Sequence, residues 1–293
     1  VLDVDPVSAR IFTAWATIAG AAIGSFLNVV VARLPVEGES IVRPRSRCPR
    51  CRTPIAWYDN VPVLSWILLR ARCRHCKAPI SVRYPLVEAA GGAAAFLAVQ
   101  RHGLAPAALV EFAFVAALVV IALIDLDTWS VYRVVSFPLV GLGLAANALG
   151  VGGAGSFRAS LLGAGVALGA LGLFAWGSTL VFRGLGRIGP GEEAMGFGDV
   201  HILTAIGANL GLAALLPVVL FAAIQGTVAG GALMLLGKAT RGARDGGEPL
   251  PDGFVPPRNA LPFGPFLALG AVEWMWLREV VGAAIPALRL FGG

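Results

Sequence analysis

Residues 11–32 read IFTAWATIAGAAIGSFLNVVVA, a run without one charged side chain. Wound as an α-helix at about 1.5 Å per residue, it covers a hydrocarbon core of about 30 Å. We read it as a first transmembrane helix. Ser25 and Asn28 fall about one turn apart, so they share a face. That face points into a bundle, where polar side chains find partners.

The rest of the chain agrees with a lipid solvent. It is 57% hydrophobic and 14% charged, with a mean hydropathy of +0.78. A soluble domain carries about 25% charge. Further apolar spans are predicted at 85–100, 105–125, 134–152, 159–182, 199–210, 212–237 and 263–285. With the first they make eight, so the fold class is an all-α polytopic membrane protein. Residues 238–260 read as a polar loop. No repeat of 20–50 residues is recognised. Asp3 and Asp5 precede the first apolar run where a signal peptide would carry positive charge, so no cleavable signal is expected.

Residues 33–83 depart from this pattern, with eleven Lys or Arg, three acids and all four cysteines. The cysteines read Cys48-Pro-Arg-Cys51 and Cys73-Arg-His-Cys76. Two C-x-x-C pairs at this separation predict a zinc site, because four thiolates close a tetrahedral Zn²⁺ and leave no open position. Such a site is structural and folds a short loop that lacks a core. Two disulfides are the competing reading. His75, inside the second pair, could replace a neighbouring cysteine as ligand, though the simpler reading is a bystander. The domain reading is 1–32, a first transmembrane helix; 33–84, a cytoplasmic zinc-binding loop domain; and 85–293, a polytopic membrane domain.

Charge sets the orientation. With the N-terminus outside, the inner segments hold 18 of the 23 basic residues and the outer ones hold Arg10, Arg101, Arg158, Arg278 and Arg289. Basic residues gather on the cytoplasmic side, which also places the cysteines in a reducing compartment where zinc is favoured over disulfides. The net charge of +6 is explained by these loops, and no nucleic-acid partner is expected.

The same orientation brings two acids to one level. Asp125 ends the third span as the chain reaches the cytoplasmic side, and Asp199 begins the sixth as it leaves. An acid in a bilayer is costly and marks function by default. Two adjacent carboxylates sharing one proton can activate a water and protonate a leaving amine. Gly196 and Gly198, in Met195-Gly196-Phe197-Gly198-Asp199, allow positive φ and close approach of an extended substrate. The plainer readings are that Asp125 and Asp127 terminate a loop and that Asp199 is the N-cap of its helix.

Six stretches, in order, resemble the type IV prepilin peptidases, bifunctional leader peptidases and N-methyltransferases of the GxGD-type intramembrane aspartic peptidases. They are Gly24-Ser25-Phe26-Leu27-Asn28 with Arg33-Leu34-Pro35; the two cysteine pairs; Arg83-Tyr84-Pro85-Leu86-Val87-Glu88; Ala122-Leu123-Ile124-Asp125-Leu126-Asp127; Glu193-Ala194-Met195-Gly196-Phe197-Gly198-Asp199; and Pro262-Phe263-Gly264-Pro265-Phe266. The resemblance implies that Asp125 and Asp199 are catalytic and that the enzyme sits in the bacterial inner membrane. It implies cleavage of the basic leader of prepilins or pseudopilins after a glycine, on the cytoplasmic side. It further implies methylation of the new N-terminus by S-adenosylmethionine, and no donor-binding signature is readable in the loop. Two positions depart from the family. Val131-Tyr132-Arg133 stands where a Pro followed by Asp or Asn is usual, and His201 stands where Lys is often found. A catalytically impaired scaffold that binds pilin-like proteins is therefore the alternative. Charge alone suggests Glu192 and Glu193 as partners for a basic leader.

Overall fold

The computed structural model describes residues 5–189, 193, 196–236 and 261–284. Ten α-helices are present among them: α1 (Pro6–Arg33), α2 (Leu64–Leu68), α3 (Arg83–His102), α4 (Pro106–Thr128), α5 (Arg133–Ala148), α6 (Phe157–Val166), α7 (Gly172–Gly184), α8 (Phe197–Leu210), α9 (Leu215–Leu235) and α10 (Gly264–Ala284). No strand occurs among the described residues. Each of the eight expected spans coincides with a helix, α6 and α7 forming one span joined by a π-helical turn at Ala167–Leu171.

Four of these spans are long and apolar enough to cross a membrane by themselves: Pro6–Arg33, Pro106–Thr128, Phe157–Gly184 and Leu212–Leu235. Among the others, α5 has 16 residues and α8 has 14, while α3 carries Arg83, Glu88 and Arg101. Several predicted ends move. The first helix starts at Pro6 because Asp5 caps it, accepting the Val7 and Ser8 N–H groups at 3.0 Å each, and because Pro at the first position is preset for a helix. The third runs on to Thr128, so Asp125 lies inside α4 and not at its end.

The chain forms two compact units, Val1–Val120 and Ile121–Gly293. In the first, α1 and α3 cross with their backbones touching. A Cβ on Gly20 would lie 2.5 Å from the Gly91 carbonyl oxygen, and one on Gly24 would lie 2.7 Å from that of Val87. Small residues replace hydrophobic exclusion as the means of helix association in lipid, because close approach maximises dispersion contacts. Asn28 is buried here as its shared face predicts, its Nδ2 donating to the Tyr84 carbonyl at 3.2 Å. Glu111 of α4 accepts from Arg101 at 3.3 Å and contacts His102 Nε2 at 2.7 Å.

In the second unit α8 is the core. Val200 and every residue from Ile202 to Leu210 are buried, and His201 alone between them is half-buried. Gly207 packs directly on Gly163 of α6, where either Cβ would overlap the other backbone. Polar side chains lock neighbouring helices to it. Asn209 Nδ2 donates to Leu139 O at 2.9 Å, Asn147 Nδ2 to Ala208 O at 3.2 Å, and Ser160 Oγ also donates to Ala208 O. At about 21 Å, α8 is too short to cross a bilayer but long enough to fill the centre of a bundle.

Candidate active site and metal centre

Asp125 sits in the last turns of α4 and is buried. Its Oδ2 accepts the backbone N–H of Gly264 at 3.1 Å, across 139 positions of sequence. Gly264 is the first residue of α10, so its N–H has no acceptor within the helix. The carboxylate therefore terminates α10 and meets the positive end of its dipole. The turn after α4 closes with Trp129 at φ 55°, its N–H donating to Asp125 O at 2.8 Å. Asp127, two residues on, is exposed.

Asp199 is half-buried in the first turn of α8, and its carboxylate lies within electrostatic range of that of Asp125. Gly264 joins them. A Cβ there would lie 2.5 Å from Asp125 Oδ2 and 2.9 Å from Ile202 Cδ1, and Ile202 is one turn along α8 from Asp199. The N-cap of α8 is Gly196, so Asp199 is the third helical residue and not the cap. Gly196 has φ −63°, and neither Gly196 nor Gly198 uses the positive φ that a glycine allows. Gly198 matters by its size: a Cβ would come within 2.8 Å of Val131 Cγ2. Met195 lies outside the described residues.

The departing residues fall to one side. Arg133 is exposed at the start of α5 and acts electrostatically on His201, whose ring meets Phe137 edge-to-face at 5.4 Å. No ion pair joins Arg133 to Asp125 among the described residues. Glu193 Oε2 accepts the Phe197 N–H at 3.0 Å, so it caps α8, which its expected role in binding a leader did not foresee. Glu192 lies outside the described residues.

The four cysteines converge. The Sγ atoms of Cys48, Cys51, Cys73 and Cys76 all lie within 4.8 Å of one another, with Cys48 to Cys76 at 3.7 Å and Cys51 to Cys73 at 4.0 Å. Sulfurs at about 2.3 Å from a tetrahedral zinc stand about 3.8 Å apart, so the set fits that metal. All four are free thiols, and none is in a disulfide. His75 is not part of the cluster. The two halves are copies of one device. Arg47-Cys48-Pro49-Arg50-Cys51-Arg52-Thr53-Pro54 and Arg72-Cys73-Arg74-His75-Cys76-Lys77-Ala78-Pro79 each close a β-bridge between their terminal residues. Each turns through a positive φ, at Arg52 and Lys77. In each the first cysteine N–H donates to a carbonyl five residues on, at 3.0 and 2.8 Å. This octapeptide is shorter than a repeat of 20–50 residues, and its signal is the shared Arg-Cys-x-x-Cys-basic-x-Pro. Arg74 also holds Asp59, with Nε 2.8 Å from Oδ2, and this cation keeps the Asp59 carboxyl below its ordinary range.

The Bacterial Peptidase A24 N-terminal domain matches residues 18–102, and the type IV leader peptidase family matches residues 112–231. A prepilin leader peptidase/N-methyltransferase of Myxococcus xanthus is 36% identical across 94% of this chain and 93% of its own. The chain belongs to the type IV leader peptidase family. Similar proteins of the same description from Burkholderia pseudomallei and Stutzerimonas stutzeri are 38% and 31% identical, across 96% and 95% of this chain and 88% and 96% of theirs. No solved structure matches.

In this leader peptidase, Gly264 is the site residue that sequence reasoning quoted without a role. Its motif was visible, but its partner 139 positions away was not. Gly264→Ala is expected to push Asp125 aside and cost about 10²-fold in leader cleavage, the scale that a displacement of about 1 Å can produce. Cleavage rates beside an unchanged zinc content and helical signal check this.

Proposed function

We propose that this leader peptidase cuts the basic leader of prepilins or pseudopilins after a glycine, with Asp125 and Asp199 as its catalytic pair. The observation that carries the reading is that two carboxylates lie in electrostatic range, one within the last turns of α4 and buried on Gly264, the other in the first turn of α8. One ionised carboxylate takes a proton from water as the water attacks the scissile carbonyl. The protonated partner supports the developing oxyanion and then delivers its proton to the leaving amine. The two exchange roles during the cycle, so neither is assigned a fixed one.

The new N-terminus is then methylated, with S-adenosylmethionine as second substrate. Cys48, Cys51, Cys73 and Cys76 hold a structural zinc that folds the loop domain 33–84, and residues 85–293 form the membrane peptidase domain. The N-terminus faces outward, with cysteines and aspartates facing the cytoplasm of a bacterial inner membrane. The exposed position of Arg133, beside His201, favours an active enzyme over the impaired scaffold.

The test is to incubate the purified full chain, in lipid, with a prepilin-type substrate and labelled S-adenosylmethionine. The expected products are a leader ending in glycine and a labelled N-terminal residue on the mature part. Cleavage without label would leave a peptidase alone. A folded, zinc-loaded protein that cuts no pilin-like leader would remove the proposal.

A further inference from the structure

The five-residue helix α2 has its apolar side turned outward. Leu64, Ile67 and Leu68, at i, i+3 and i+4, are 58%, 58% and 81% exposed, while Ser65 is buried and Trp66 Nε1 donates inward to Ile80 O at 3.1 Å. Three large aliphatic side chains on one stripe, open to the surroundings of a loop with 11 basic residues, need a cover.

The height of α2 identifies that cover. Val63, which precedes α2, donates its N–H to Glu88 Oε2 at 2.7 Å. Glu88 is buried in the second turn of α3, about 7.5 Å along the helix from Arg83. Beyond Glu88, α3 carries no charge until Arg101. With α3 read as a span entered from Arg83, the bond pins α2 beside the stretch where that helix would pass from headgroups into acyl chains. Interfacial helices bury their apolar face to a depth of about 5–10 Å there. Cations edge the stripe: a groove of about 630 Å³ beside the cysteine cluster is lined by Leu68, Leu69 and Cys73 together with Arg70, Arg72, Arg74 and Lys77. Arg74 is neutralised by Asp59, which leaves Arg70, Arg72 and Lys77 as the charges presented to a ligand, Lys77 also donating to Arg74 O at 3.0 Å.

We propose that α2 lies in the membrane interface and that this groove seats the headgroup of an anionic phospholipid, with acyl chains against Leu64, Ile67 and Leu68. The charges and the apolar stripe then act together: the cations meet the phosphate, and the stripe replaces water with lipid. The loop domain is held to the bilayer face at a third point, besides its connections to α1 and α3. This reading is independent of the peptidase chemistry.

The test uses the full chain in nanodiscs of phosphatidylcholine, with or without phosphatidylglycerol. Leu68→Trp adds a reporter whose emission is the difference from wild type, with Leu64→Trp in its place if the first loses zinc. Acyl chains brominated near their headgroup end are expected to quench the reporter. In native mass spectrometry, Arg70→Gln/Arg72→Gln/Lys77→Gln is expected to lose its preference for phosphatidylglycerol, by roughly fivefold in affinity per charge removed. A reporter that emits as in water and escapes quenching overturns the proposal. So does one shielded from water yet untouched by bromine at any depth, which would mean a protein cover such as a second copy. Unchanged phosphatidylglycerol retention in the triple variant overturns the headgroup site.

Discussion

Asp125→Asn and Asp199→Asn are each expected to abolish leader cleavage, by at least the 10²–10⁴-fold that general acid–base catalysis typically supplies. The two substitutions are close in shape, so the effect is chemical. An Asn at 125 still offers an oxygen to the Gly264 N–H, which keeps α10 terminated. An Asn at 199 is still tolerated in the first turn of α8. What each loses is the capacity to hold and release a proton. The check is a paired assay. Cleavage of a prepilin-type substrate should vanish in both variants, while methyl transfer to a peptide already processed should persist. Loss of both activities together would indicate unfolding. Cleavage surviving in either variant would remove that residue from the catalytic pair.

The second large effect concerns the metal. Stripping zinc with a chelator, or making Cys73→Ser, is expected to unfold residues 33–83 while leaving the membrane helices in place. The loop has little else to hold it, since its short α2 presents its apolar side outward. Structural zinc contributes about 10–16 kcal/mol to folding in small zinc-finger peptides, more than so short a segment gathers from packing. The α1–α3 crossing at Gly20, Gly24 and Gly91 needs no metal. Limited proteolysis should therefore open sites between Arg43 and Lys77 in the stripped protein and spare α1 and α3. Zinc content should be about one per chain in the native protein and fall in the variant. A loop equally resistant with and without metal would refute a structural role.

The spans were legible because lipid imposes composition: a charge-free run such as 11–32 has few other uses. The four-cysteine cluster was legible because it is a short motif used twice. Helix ends were less so, since they depend on capping, as at Asp5, where a carboxylate competes with hydropathy to set the first residue. The meeting of Asp125 with Gly264 had no local signal. It is made where the last turns of α4 meet the first residue of α10, and nothing near either residue encodes the other. The glycines before Asp199 show a subtler miss. Their residue type suggested backbone freedom, whereas at Gly198 the demand is for an absent side chain beside Val131. Glu193 was judged by its charge alone, and its geometry makes it a helix cap.

The bond from Gly264 to Asp125 turns a buried carboxylate into something an instrument can follow. An amide whose acceptor is a titrating oxygen changes its nitrogen and proton resonance frequencies with the charge on that oxygen. Gly264 is thus a single labelled nucleus at which a proton arriving on Asp125, or an inhibitor displacing its bond, can be watched without any substrate being turned over.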